Sequence, residues 1–252
     1  MFSKSREGPL LAGDGYYDLY HSELDPKDFS EESVRNGFIR KVYGILSVQL
    51  VITAGIVYGM LYEVEKDPSI LYRYGSAPLY ACLAALVLVL SVRCCCVSVA
   101  RTFPSNYLFL LAVTLLESFI VGFISSFYTG KSVMIAAVLT AGIFGGLTMF
   151  AMTTETDFTG FGPYLLVSIL GLIFTGMFSV FLFPEMEMAY KLYSGVGAVL
   201  MSFYIVFDTQ MIVGGKHEHK HDVDDYVFAA LNLYLDIITL FMKLLSLGGE
   251  RR

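Results

Sequence analysis

Seven apolar stretches, at 40–62, 78–98, 105–128, 132–152, 161–183, 188–213 and 226–247, run through a chain of 252 residues. About 20 apolar residues in helical form cross the hydrocarbon of a bilayer. That medium admits only segments whose backbone groups satisfy one another internally. The stretches therefore predict an all-α membrane protein, a seven-helix transmembrane bundle. Composition agrees, with 16% charged residues and a mean hydropathy of +0.63, against about 25% charged in soluble domains. The connections are short, which favours antiparallel neighbours in one compact bundle.

Ahead of the first stretch, residues 1–38 mix Lys4, Arg6, Lys27 and Arg35 with eight acids, and Gly8, Pro9, Gly13 and Gly15 interrupt any helix. This part reads as a cytosolic, mostly disordered tail, leaving 39–250 as the transmembrane domain. No short apolar core followed by a cleavage site marks a signal peptide, so the first segment is expected to direct insertion. Around Ser30 and Ser33, the residues Phe29, Val34, Phe38 and Val42 share a face, suggesting an amphipathic lead-in lying on the membrane surface.

Orientation follows the Lys and Arg residues near the segment ends. The N-terminal tail and boundary carry six, including Arg40 and Lys41; Arg93, Arg101, Lys216 and Lys220 fall on the same side. Lys66, Arg73, Lys131 and Lys191 fall on the other. The N-terminus is therefore expected in the cytosol. Seven full crossings place Arg251 and Arg252 outside; a re-entrant last segment keeps them inside. The sequence leaves both open. The net charge of −6 is spread over tails and loops and lacks the clustered basic surface of a nucleic-acid binder.

Within the apolar stretches stand acids. Asp208 in FYIVFDTQMIVGG and Asp236 in YVFAALNLYLDIITLF lie in the last two segments. An ionisable group in hydrocarbon costs at least about 2.5 kcal/mol and usually marks function. Asn232, Asp236, Thr239 and Lys243 follow one another at intervals of 4, 3 and 4, one stripe of a helix with 3.6 residues per turn. Ser194, Gly197, Met201, Tyr204 and Asp208 form a similar face on segment six. Counted from the connecting loop, the two acids reach matching depths if the first turn of segment seven projects from the membrane. Two carboxyls in contact cannot both ionise cheaply, so such a pair titrates as a unit. A shared proton clamps the helices and its loss drives them apart. Deprotonated, the same oxygens are hard ligands suited to Ca²⁺. The bland alternative pairs each acid with a base, Lys243 or Arg93.

Glu117, in segment three with Thr114 one turn before it, either extends an acidic path or acts as a structural hydrogen-bonder. Asp157 and Thr159 in TTETDFTG read as a cap for the start of segment five. His217, His219 and His221 alternate in a charged loop. They read as solvated, with weak metal binding or pH sensing as the other use. Cys82 is isolated. Cys94, Cys95 and Cys96 beside Arg93 are candidate palmitoylation sites, or simply an apolar helix end. No spacing suggests a disulfide framework or zinc site.

At TTETDFTGFG, FYIVFDTQMIVGG and DDYVFAALNLYLDIITLF the chain resembles the transmembrane Bax-inhibitor-motif family. RTFPSNYLFLL and Glu117 in FLLAVTLLES are similar to its Lifeguard branch, including Golgi-type members. The likeness covers roughly residues 35–250. It implies seven helices with the last enclosed by the other six. It also implies a pH-sensitive calcium leak from a Golgi or endoplasmic reticulum store, and suppression of cell death, with cell-death regulators or calcium-store channels as partners. The family's paired acids match Asp208 and Asp236, and an Arg of the second helix, here Arg93, is expected to engage the helix-seven acid when the path is shut. The His-rich loop departs from the family pattern. Two membrane aspartates also equip an intramembrane aspartyl protease, but neither a GxGD-like pair before Asp236 nor a Pro-Ala-Leu loop is present, so no enzyme is expected and no cofactor beyond Ca²⁺. A non-conducting protein acting through partners is the remaining alternative.

Overall fold

The computed structural model describes residues 26–95, 104–182, 187–214 and 225–252. Among them the chain is helical: α1 Pro26–Lys66, α2 Ser69–Tyr74, α3 Ala77–Cys95, α4 Ser105–Ser125, α5 Gly130–Thr153, α6 Gly162–Leu182, α7 Glu187–Val213 and α8 Tyr226–Gly248. Among the described residues, six helices are long and apolar enough to cross a membrane. The expected second segment is α3, whose apolar part among the described side chains, Ala77–Val87, is shorter. Large apolar side chains such as Val51, Val138, Val167 and Phe203 stand exposed, more apolar surface than a soluble monomer tolerates and what lipid-facing helices require.

The first helix differs from expectation. It starts at Pro26, well before residue 40, and runs without a break to Lys66. Residues 26–38 are thus the start of this helix rather than disordered tail. The anticipated surface lead-in is the same helix continued: Phe38 and Val42 are buried in the core while Val34 is exposed. At 41 residues it measures about 60 Å, roughly twice the hydrocarbon thickness, so it extends out of the membrane. At its far end Asp67 turns the chain, accepting from the Ser69 hydroxyl (2.6 Å) and backbone N–H (3.1 Å). These bonds hold the Asp67 carboxyl below its ordinary range.

The core gathers on α8. In its most apolar window 61% of residues are buried, against 6% for the window of Thr159–Phe178, and α8 packs on α7, α1, α5 and α4. Leu231, Leu233, Tyr234 and Leu240 are fully buried. The α8 polar stripe of Asn232, Asp236, Thr239 and Lys243 is narrow, and the apolar remainder is what the interior takes up.

The question of the C-terminus resolves geometrically. Near the start of α8, Tyr226 meets Tyr107 of α4 (3.5 Å between hydroxyls) and lies 5.3 Å from the Lys41 ammonium of α1. Beyond its end, Thr129 N–H donates to the Glu250 carbonyl (3.0 Å) and Arg252 N–H to the Phe127 carbonyl (2.9 Å). The loop 126–129 follows α4, whereas Tyr107 begins it. The last helix therefore traverses the whole bundle, and the chain end clips onto the opposite rim.

One seam between α1 and α4 is close and polar. Gln49 donates to Thr114 (2.9 Å), and the Thr53 hydroxyl meets both Ser118 (2.8 Å) and Tyr234 of α8 (2.9 Å). A Cβ on Gly122 would lie 2.5 Å from Met60 Sδ. Thr114, Ser118, Gly122 and Ser126 recur every fourth residue, the small-residue pattern that brings membrane helices together.

Candidate functional site: two carboxyls between the last helices

The small and polar face anticipated on segment six is the face that α7 turns inward. Ser194, Met201 and Asp208 are buried, and Ser194 meets Ser246 of α8 at 3.1 Å. Five residues from the end of α7, Asp208 is 6% exposed, while Asp236 on α8 is 9% exposed. Their carboxyls are hydrogen-bonded to each other. A bond between two carboxyls needs a proton between them, since two bare carboxylates offer only acceptors. Asp236 Oδ2 is buried with no hydrogen-bond partner among the described residues. Tyr204, one turn before Asp208, lies within electrostatic reach of both acids.

The other predicted residues are placed differently. Lys243 does not neutralise the pair: its ammonium sits 3.9 Å from the Tyr193 ring centroid. It gets there across Gly197, where an added Cβ would lie 2.9 Å from the lysine side chain. Asn232 and Thr239 are half-buried, so Asp236 is the one fully enclosed member of its stripe. Glu117 stands beside the α1–α4 seam with Oε2 buried and unpartnered among the described residues. It acts electrostatically on Tyr234. Arg93 lies in the last turns of α3, but its side chain, those of Cys94 and Cys95, and all of Cys96 are outside the described residues. So are His217, His219 and His221. No group of three or more His, Cys, Asp or Glu side chains among the described residues forms a metal cage.

Two groups beside the pair escaped the sequence reading. Arg35 looked like a tail charge. It reaches the end of α7, donating from Nε to the Val213 carbonyl (3.1 Å) and from Nη2 to the Met211 carbonyl (2.8 Å). A cation satisfying the last carbonyls of a helix offsets its dipole. The helix stops there at Gly214, with φ +65° and its N–H on the Gln210 carbonyl (2.9 Å). Gln210 itself is fully buried. Its Nε2 donates to the Thr156 carbonyl (2.9 Å) and its Oε1 accepts from Phe158 N–H (2.7 Å). It thereby pins the 154–160 loop two residues from Asp208. Asp157 closes a turn within that loop, accepting from Thr159 N–H (2.9 Å) and hydroxyl (2.7 Å). The expected cap of segment five is not formed there, because a short turn at Thr159–Phe161 comes between Asp157 and the start of α6 at Gly162. The glutamine in FDTQ carries no charge to attract notice; its position two residues after a buried acid was the available signal.

An all-helical bundle with two hydrogen-bonded acids in its interior defines a multi-pass membrane protein with an ionisable core. Comparison with known proteins narrows this class. The family model described as inhibitor of apoptosis-promoting Bax1 matches residues 35–252. Human protein lifeguard 3 is 33% identical over 246 residues, covering 97% of this chain and 78% of its own length. The mouse protein of that name is 32% identical, covering 96% and 79%. Arabidopsis thaliana protein LIFEGUARD 4 is 30% identical, covering 89% of each chain. The chain belongs to the Bax inhibitor family, in its Lifeguard branch.

Proposed function

We propose that this protein is a pH-sensitive calcium leak path in a Golgi or endoplasmic reticulum membrane. In this reading it lowers store calcium and thereby restrains apoptosis, with its N-terminus cytosolic and its last helix enclosed by the others. The observation that carries the reading is the contact between Asp208 and Asp236. While one proton is shared, the contact clamps α7 to α8. Raising the pH removes that proton and leaves two like charges at close range in a medium that screens them poorly. The helices separate, and the freed oxygens become passing ligands for Ca²⁺. The sign follows: flux rises as pH rises through the titration of the pair. Arg35 and Gln210 hold the end of α7 and its loop, so separation is resisted on that rim.

The test is purified protein in liposomes loaded with a calcium dye, across a pH series. A protein-dependent leak that grows with pH is expected, and its absence over the whole series contradicts the proposal. A second reading draws on the printed description of the family model, which names inhibition of an apoptosis-promoting protein and not conduction. Under that reading the protein binds cell-death regulators without conducting, the acids hold helices together, and the liposomes stay silent.

A further inference from the structure

A groove of about 710 Å³ runs along the flank of the bundle between α1 and α5, floored by Ile237, Ile238 and Phe241 of α8. Its α1 wall is one helical stripe from Leu50 to Glu65, and its α5 wall another from Gly130 to Phe144. The two threonines lining it offer no free hydroxyl: Thr53 donates to the Gln49 carbonyl (2.9 Å) and Thr140 to the Ala136 carbonyl (2.7 Å). The walls belong to membrane-spanning helices, so what the groove meets is lipid.

The two ends differ. The inner end at Leu50 is apolar. The outer end carries Tyr62 and Tyr58, 56% and 72% exposed, as aromatic residues stand at a membrane–water interface. Glu65 follows one turn later, exposed and with no ion pair among the described residues. Lys131 comes directly after the groove-lining Gly130 and is also exposed. A carboxylate and an ammonium thus flank the mouth, complementary to a headgroup that bears an amine and a phosphate. From Glu65 to Leu50 the groove is about 22 Å long at 1.5 Å per residue. One leaflet of hydrocarbon is about 15 Å deep, so an acyl chain entering at the mouth fits within it.

We infer that this groove is a lipid site holding one acyl chain of an ethanolamine phospholipid from the leaflet at the α1–α2 corner. The amine donates to Glu65, the phosphate faces Lys131, and Tyr62 seats the glycerol region. A choline headgroup lacks the N–H that a carboxylate accepts. The chain lies on Ile237, next in sequence to Asp236, so occupancy packs against the helix that carries the acid pair.

The experiment uses full-length protein in nanodiscs containing phosphatidylethanolamine with a photoactivatable acyl chain, and maps crosslinked residues by mass spectrometry. Crosslinks are expected to concentrate on groove residues of α1, α5 and α8. They should fall several-fold in Ala137→Phe and in Ala141→Phe, each of which fills the groove. Agreement between the two variants, with unchanged melting in detergent, guards against misfolding. Glu65→Gln should keep the crosslinks while losing the preference over a phosphatidylglycerol probe. Crosslinks spread evenly over all lipid-facing helices, or untouched by both fillings, would overturn the site, as would an unchanged headgroup preference in Glu65→Gln. None of these readouts depends on calcium flux.

Discussion

Between α1, α4 and α8 the buried groups that bond one another are hydroxyls and one amide, with the Glu117 carboxyl beside them; between α7 and α8 they are two carboxyls. Gln49, Thr53, Thr114, Ser118 and Tyr234 exchange neutral hydrogen bonds, and none of these groups itself gains or loses a proton within the physiological range. Asp208 and Asp236 make one contact that exists only while a proton is present, and leave one oxygen unpartnered among the described residues. The first seam holds helices together in a single state. Under the proposed function the second has two states, set by a proton, and the comparison then locates the working part of the bundle by which seam can change.

The sharpest way to break the comparison is at the acids. Asp208→Asn and Asp236→Asn each replace the shared proton by a permanent amide donor, so the dependence of liposome flux on pH should flatten in both. A pH response that persists unaltered in either variant puts the sensor elsewhere. Gln210→Ala comes next: it leaves Phe158 N–H without its partner in a half-buried setting, at the low end of about 1–3 kcal/mol. Melting in detergent should fall clearly, and hydrogen exchange should rise in 154–160. Arg35→Ala frees two α7 carbonyls near water, a loss of about 1–2 kcal/mol after allowing for exposure. It should also shift the flux curve toward lower pH, because α7 is released on the rim where Asp208 sits. Thr53→Val, in the neutral seam, should cost only about 0.6 kcal/mol per lost contact and leave the pH dependence where it was. A shift there would show that the seams are coupled. Smallest is Asp67. Its carboxyl titrates below the ordinary range when folded, so its support for the α1–α2 corner is present at neutral pH and fades only as acid protonates it. Asp67→Asn should lower neutral melting by the smallest margin of the set, and that small difference from the parent should vanish in acid.

The acid pair was legible because charge in hydrocarbon is costly and therefore conspicuous, and because helical spacing fixed which faces Asp208 and Asp236 share. The apolar stretches gave the helices for the same reason. Arg35 was not legible: its partners lie 178 and 176 residues away, and an arginine ahead of an apolar segment looks like any topogenic charge. The extension of α1 to Pro26 was missed because polar residues outside hydrocarbon form helix or tail with little difference in hydropathy. The Thr114, Ser118, Gly122 and Ser126 repeat was visible but reads as a seam only once Met60, Gln49 and Thr53 are placed against it. The groove arises from the spacing of α1 and α5, which no pattern within either helix encodes.

The shared proton itself can be observed. Infrared difference spectra of the protein in lipid, with ¹³C-labelled aspartate and a pH series, report protonated carboxyl directly. A single protonated-carboxyl band that titrates in one step shared by the two acids, and disappears in both Asp208→Asn and Asp236→Asn, is what the account predicts. A band that survives either substitution unchanged, or two acids that titrate independently, would contradict it.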